Sequence, residues 1–220
     1  LKQYVPTDSH IETSTIGFLN KYFTGLYALH YGCPEQFSIA FTVPGQKRNV
    51  KQIKQVKSVS RSVMEKKWKE ILPNPAPPGQ RLLFDMYKEK NTAVITIKTF
   101  SFYKKVDDFK KFVDTCFVKI KSNGLKNLIL DFRGNSGGDP HCSSYLFRHL
   151  IKKPAAYFSE SYMTYEYLSK KLEPAKNKFT GNVYILIDGG CFSSTGHLTS
   201  LLKYHNIGEF IGTETGATYT

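Results

Sequence analysis

The chain has 220 residues, 40% of them hydrophobic and 14% aromatic, which excludes a disordered chain and suffices for a sizeable core. A net charge of +13 raises nucleic acid as a partner, but the lysines scatter from Lys47 to Lys178 without a basic stripe or an aromatic RNA-binding pattern, so none is expected. No apolar run is long enough to cross a bilayer, and Cys33, Cys116, Cys142 and Cys191 form no C-x-x-C pair, so neither a membrane span nor a zinc site is expected.

In chain order, Phe18, Leu19, Tyr22, Phe23, Leu26, Leu29 and His30 have helical spacing, with a break near Gly25 and a stop at Gly32. Phe37 to Val43 alternates as a half-buried strand ending at Pro44-Gly45, and Asn49 to Val56 reads as its partner. Residues 57–72 predict a short helix or an irregular excursion, and the proline-rich run at 73–80 predicts a linker. Residues 1–72 therefore read as an N-terminal α+β cap or insertion, and residues 81–220 as the core.

In that core, Leu82–Tyr87 and Thr92–Lys98 predict two strands joined by a turn over 88–91. Val106, Phe109, Phe112, Val113, Cys116, Phe117 and Ile120 share one face of a helix over 105–122, with Gly124 as its stop. Asn127–Phe132 is a continuous apolar strand, followed by the loop Arg133–Pro140 and a helix from about Cys142 to Ile151. A strand over 183–187, a turn over 188–192, a helix from Thr195 to His205 and a strand over 209–212 complete the pattern. Alternating helices and strands predict an α/β fold with a mostly parallel sheet and flanking helices. The loops Arg133–Pro140 and Asp188–Ser193 then lie beyond the carboxyl ends of neighbouring strands, where such sheets hold ligands.

Gly134, Gly137 and Gly138 let the first loop bring N–H groups close to a ligand, but it lacks the Gly-Lys-Ser/Thr ending of a phosphate loop. An oxyanion hole and a plain tight turn both remain open. In the second loop, Ser193 and Ser194 stand at a helix start, as a nucleophile or an N-cap would. Together the loops supply the halves of an acyl-transfer site: a serine followed by an N–H, and a glycine-rich loop from the next strand. His30 and His205 read as helix-end residues and His141 as lying near a helix start; His197, one turn beyond Ser193, is a candidate base or supporting residue.

Leu128-Ile129-Leu130-Asp131-Phe132-Arg133-Gly134-Asn135-Ser136-Gly137-Gly138 closely resembles the signature of peptidase family S41, the tail-specific or C-terminal processing serine proteases. The stretches from Val183 to Ser194 and from Ile207 to Gly216 resemble that family's nucleophile segment and the strand after it. The resemblance spans residues 82–216 and implies a crotonase/ClpP-like core. It implies a hydrolase that cleaves polypeptides through an acyl-enzyme on Ser193, with Ser194 as the alternative nucleophile. The oxyanion donors would be the N–H of Ser194 and one from Gly137 or Gly138.

Neither cofactor nor metal is implied, and export to the periplasm, cell surface or exterior is implied by the family alone. The chain departs from the best-known members, which carry a catalytic lysine where Thr218 stands here. It is nearer the tricorn-like branch, whose base is an upstream histidine and whose acid lies downstream. The chain reads as a piece of a longer protein, with base and acid expected outside it. A degenerate relative that binds polypeptide tails without cutting them is the alternative. A crotonase-like acyl-thioester enzyme fits the Ser193 segment poorly.

Overall fold

The computed structural model describes residues 12–41, 52–71, 80–158 and 166–217. The described residues fall into two compact units, one within Tyr22–Gln80 and the other made of residues 12–21 and those from Arg81 onward. The first helix, α1 (Glu12–Tyr31), contributes to both. It runs unbroken through Gly25, where the sequence predicts an interruption; a helical glycine costs only about 1 kcal/mol against alanine. Gly32 does end it, with a φ of 76° and its N–H on the Ala28 carbonyl.

In the Tyr22–Gln80 unit, β1 (Gln36–Phe41) and β2 (Gln52–Lys57) pair antiparallel, Phe37 opposite Val56. Helix α2 (Arg61–Ile71) resolves the ambiguous stretch at 57–72 in favour of a helix. The expected turn at Pro44-Gly45 and nearly all of the expected linker at 73–80 lie outside the described residues.

The other unit is built on a sheet of five strands. Its members are β3 (Leu82–Tyr87), β4 (Thr92–Ile97), β5 (Asn127–Asp131), β8 (Asn182–Ile187) and β9 (Glu209–Gly212), in the spatial order β3-β4-β5-β8-β9. β3 and β4 form an antiparallel hairpin, and every later pairing is parallel. Ala93, Ile95, Ile97, Leu128, Leu130, Phe132 and Ile185 are buried, as the apolar runs require.

Helix α3 (Val106–Ser122) buries Phe109, Val113, Cys116, Phe117 and Ile120 at three- and four-residue steps. Each such side chain contributes roughly 1.5–3 kcal/mol of transfer free energy, so this stripe anchors the helix to the core. Asp107 and Asp108 in its first turn, with Lys119 and Lys121 in its last, complement the helix dipole.

Helix α4 (Pro140–Arg148) starts and ends earlier than its sequence predicts. Pro140 occupies the first turn, and Asp139 caps the helix by accepting the His141 N–H at 2.9 Å. The short β6 (Ala155–Ala156), α5 (Glu166–Ser169) and β7 (Lys171–Leu172) carry too few residues to show a hydrophobic period. Helix α6 (Ser194–Tyr204) follows β8 through the turn at 188–193.

Candidate active site

Because β5 and β8 are parallel neighbours, with Asp131 opposite Leu186, their carboxyl ends release the two glycine-containing loops side by side. The Phe132 N–H donates to the Leu186 carbonyl at 3.0 Å, and the Phe192 N–H to the Asn135 carbonyl at 3.1 Å. A β-carbon on Gly137 would lie 2.6 Å from the Phe192 carbonyl oxygen and 2.8 Å from the Ser193 Cβ. Gly137 is therefore in direct contact with the serine turn, and only glycine fits.

Ser193 has φ 52° and ψ −129°, outside the regions an L-residue ordinarily occupies. It stands at the N-cap position, is exposed, and its side chain makes no capping hydrogen bond. An ordinary N-cap has extended backbone and spends its hydroxyl on the first-turn N–H groups, so Ser193 is not one. Ser194, by contrast, is buried, and its hydroxyl has no hydrogen-bond partner among the described residues.

The glycine loop separates two N–H groups that are equivalent in the sequence. Gly137 donates its N–H to Asn135 Oδ1 at 2.9 Å, and the buried Asn135 amide donates in turn to the Ile97 carbonyl at 2.9 Å. The Gly138 N–H has no hydrogen-bond acceptor among the described residues, nor does that of Ser194. The loop is held from behind by a bridge between Phe100 and Gly138, in which Phe100 N–H meets the Gly137 carbonyl and Asp139 N–H meets the Phe100 carbonyl, each at 2.9 Å.

Charges brace the loop mouth. Asp131, buried at the end of β5, accepts the Arg133 side chain at 2.9 and 2.8 Å and the Arg133 backbone N–H at 3.0 Å. Burial alone would raise its pKa, but these bonds, with the charges of Lys98 and Arg133, hold it below the usual carboxylate value. Asp188 Oδ1 accepts the N–H groups of both Gly134 and Gly190, at 2.8 and 2.9 Å. Burial pushes the Cys191 thiol up to about 12, so it is a packing residue and not a nucleophile.

His197 is buried, with Nε2 on the Tyr157 carbonyl at 2.7 Å and its ring packed at 4.8 Å from Tyr157 and 4.5 Å from Phe158. A carbonyl only accepts, so Nε2 carries a proton and is committed there. His141 lies in the first turn of α4, and His205 is exposed at the C-cap of α6.

Three contributions were missed from the sequence. Asn135 and Asp188 are polar residues beside glycines, the usual signal for a side chain that bonds nearby backbone N–H groups. The third is the start of α1. Thr13 Oγ1 donates to the Glu214 carbonyl at 3.2 Å, and Thr13 and Ser14 lie so close to Gly189 that a β-carbon there would overlap the Thr13 carbonyl. Gly216 donates its N–H to the Cys191 carbonyl at 2.8 Å, and a β-carbon on it would be 2.7 Å from Ser14 Oγ. Nothing in local spacing announces that contact.

Solved structures share this fold. The structure of mature CPAF superposes with a TM-score of 0.51 at 12% identity, over 84% of this chain and 54% of that one. CPAF complexed with lactacystin gives 0.50 at 13% identity, over 85% and 55%. The photosystem II D1 C-terminal processing protease gives 0.49 at 14%, over 83% and 45%. At these identities the likeness to the CPAF structures is one of fold, and the chain spans about half the length of these proteins. No curated protein matches it. The sequence model of peptidase family S41 matches residues 91–220, more than half of the chain, and the chain belongs to that family.

Proposed function

We propose that the protein is a serine peptidase that hydrolyses peptide bonds through an acyl-enzyme on Ser193. The observation that carries this reading is the Ser193 backbone: a positive φ on an exposed serine that caps nothing, held against Gly137. Strain of about 1–3 kcal/mol is maintained where it aims a group at a substrate. In the first step Ser193 Oγ attacks the peptide carbonyl and loses its proton to a base. The carbonyl oxygen becomes an oxyanion facing the N–H groups of Gly138 and Ser194, at the N-terminus of α6 where the helix dipole favours negative charge. The tetrahedral adduct expels the amine, which takes up the proton, and water then releases the acyl group.

The base in this proposal is supplied from outside this segment, as the family resemblance implies. His197, with Nε2 on a carbonyl, is a supporting residue of the α6 packing. Export and a preference for polypeptide tails belong to the same proposal and rest on family resemblance alone.

The test is fluorophosphonate labelling of the full-length protein, with the modified residue located by mass spectrometry. Labelling on Ser193 is expected, and it is abolished in Ser193→Ala. Ser194→Ala keeps its backbone N–H and stays labelled. A folded full-length protein that takes no label overturns the peptidase reading in favour of a relative that binds tails without cutting them.

A further inference from the structure

We propose that Asp188 is a positioning residue: one carboxylate oxygen, bonded to both loops, sets the alignment of Ser193 with the N–H groups of Gly138 and Ser194. The inference rests on the reading of Ser193 as nucleophile and adds a residue to which that reading gives no role. Asp188 directly follows the last residue of β8, and its Oδ1 accepts two N–H groups. The Gly190 bond is local, two residues along the chain, and shapes the serine turn. The Gly134 bond spans 54 residues and reaches the other loop. At 2.8 and 2.9 Å both are well-formed N–H···O bonds.

The two backbones meet at this point. A β-carbon on Gly190 would lie 2.9 Å from the Gly134 Cα, so the loops are in contact there, and the carboxylate bonds both sides of that contact. Other ties between them are the bond from Phe192 N–H to the Asn135 carbonyl, the contact of the Cys191 thiol with the Phe132 carbonyl, at 3.1 and 3.2 Å, and the packing of Gly137 on Phe192 and Ser193. None of these reaches Gly134 or Gly190. The Asp188 charge has a cation nearby, because Arg133 extends from the residue before Gly134 and feels Asp188 as well as its own partner Asp131. Besides the two backbone N–H groups, Oδ1 takes a longer contact from the Cys191 thiol, at 3.8 Å. Removing the carboxylate frees the glycine loop to shift against the serine turn, and a misplacement of about 1 Å in such a site can cost a hundred-fold in rate.

Three variants of the full-length protein test the proposal. In Asp188→Ala, and in Asp188→Ser, whose shorter side chain cannot span both loops, labelling of Ser193 by a fluorophosphonate slows at least ten-fold. For a cleaved peptide, kcat falls by the same factor while KM changes less than two-fold. Asp188→Asn, whose amide oxygen still accepts both bonds, restores labelling to within about three-fold of wild type. Amide hydrogen exchange gives a readout independent of activity: the Gly134 and Gly190 N–H groups lose protection together in Asp188→Ala and keep it in Asp188→Asn. Wild-type labelling rates in the alanine and serine variants overturn the proposal, as does failure of the asparagine to restore them. If wild type itself takes no label, the nucleophile reading has failed. The exchange measurement then still shows whether Asp188 bridges the loops.

Discussion

Gly138 is the residue with the least latitude in the site. Its φ of 144° is open to glycine alone, and a β-carbon would overlap the backbone of Phe100 and Ser101. Gly138→Ala therefore carries the strain of an unfavourable backbone, about 1–3 kcal/mol, and also displaces the bridge that holds the loop. Urea unfolding is expected to show a loss of at least that size, and Ser193 labelling is expected to fall a hundred-fold or more if, as proposed, the Gly138 N–H that moves is an oxyanion donor. Residue identity was readable here from three glycines in one loop; residue role was not. Gly137 and Gly138 are adjacent and chemically identical, and only the Asn135 side chain, folded back onto the Gly137 N–H, distinguishes the engaged donor from the open one.

Elements were more legible than roles. The α3 stripe and the β4 and β5 runs follow from hydrophobic period alone, since burial is decided by which side chains share a face. What lies between two elements is harder to read, and the α3–α4 contact shows why. His149, 2% exposed, stacks on Phe117 at 4.4 Å and meets Tyr145 at 5.5 Å, with Nε2 3.3 Å from Asp114 Oδ1. Burial lowers its pKa below 6.5, and Asp114 opposes that shift without cancelling it. A base with a depressed folded pKa destabilises the fold on acidification. The stability is fully present above about 6.5, where the unfolded chain holds no extra proton, and is lost as pH falls from there through the folded-state pKa. Thermal unfolding between pH 7.5 and 5 is expected to show that loss, and His149→Phe is expected to remove its slope.

For the whole molecule, burial sorts the four cysteines. Cys33 is exposed, whereas Cys116, Cys142 and Cys191 are buried, with their thiols pushed up to about 12 by desolvation. One alkylation per native molecule, on Cys33, is the expected result with iodoacetamide at pH 8, rising to four in denaturant; mass spectrometry counts them. At this scale the order of elements and the mostly parallel sheet could be read from the chain, because apolar period, glycine stops and proline breaks act locally. So could the pairing of a glycine loop with a serine turn at neighbouring strand ends. Tertiary structure alone decided the rest. It committed His197 to the Tyr157 carbonyl 40 residues away, and it carried the Asp188 carboxylate to Gly134 across 54. It also laid Thr13 and Ser14 against the turn that presents Ser193. Hydrogen-bond partners so far apart in the chain leave no trace in local spacing, since the folded backbone, and not the sequence between them, brings donor and acceptor within reach.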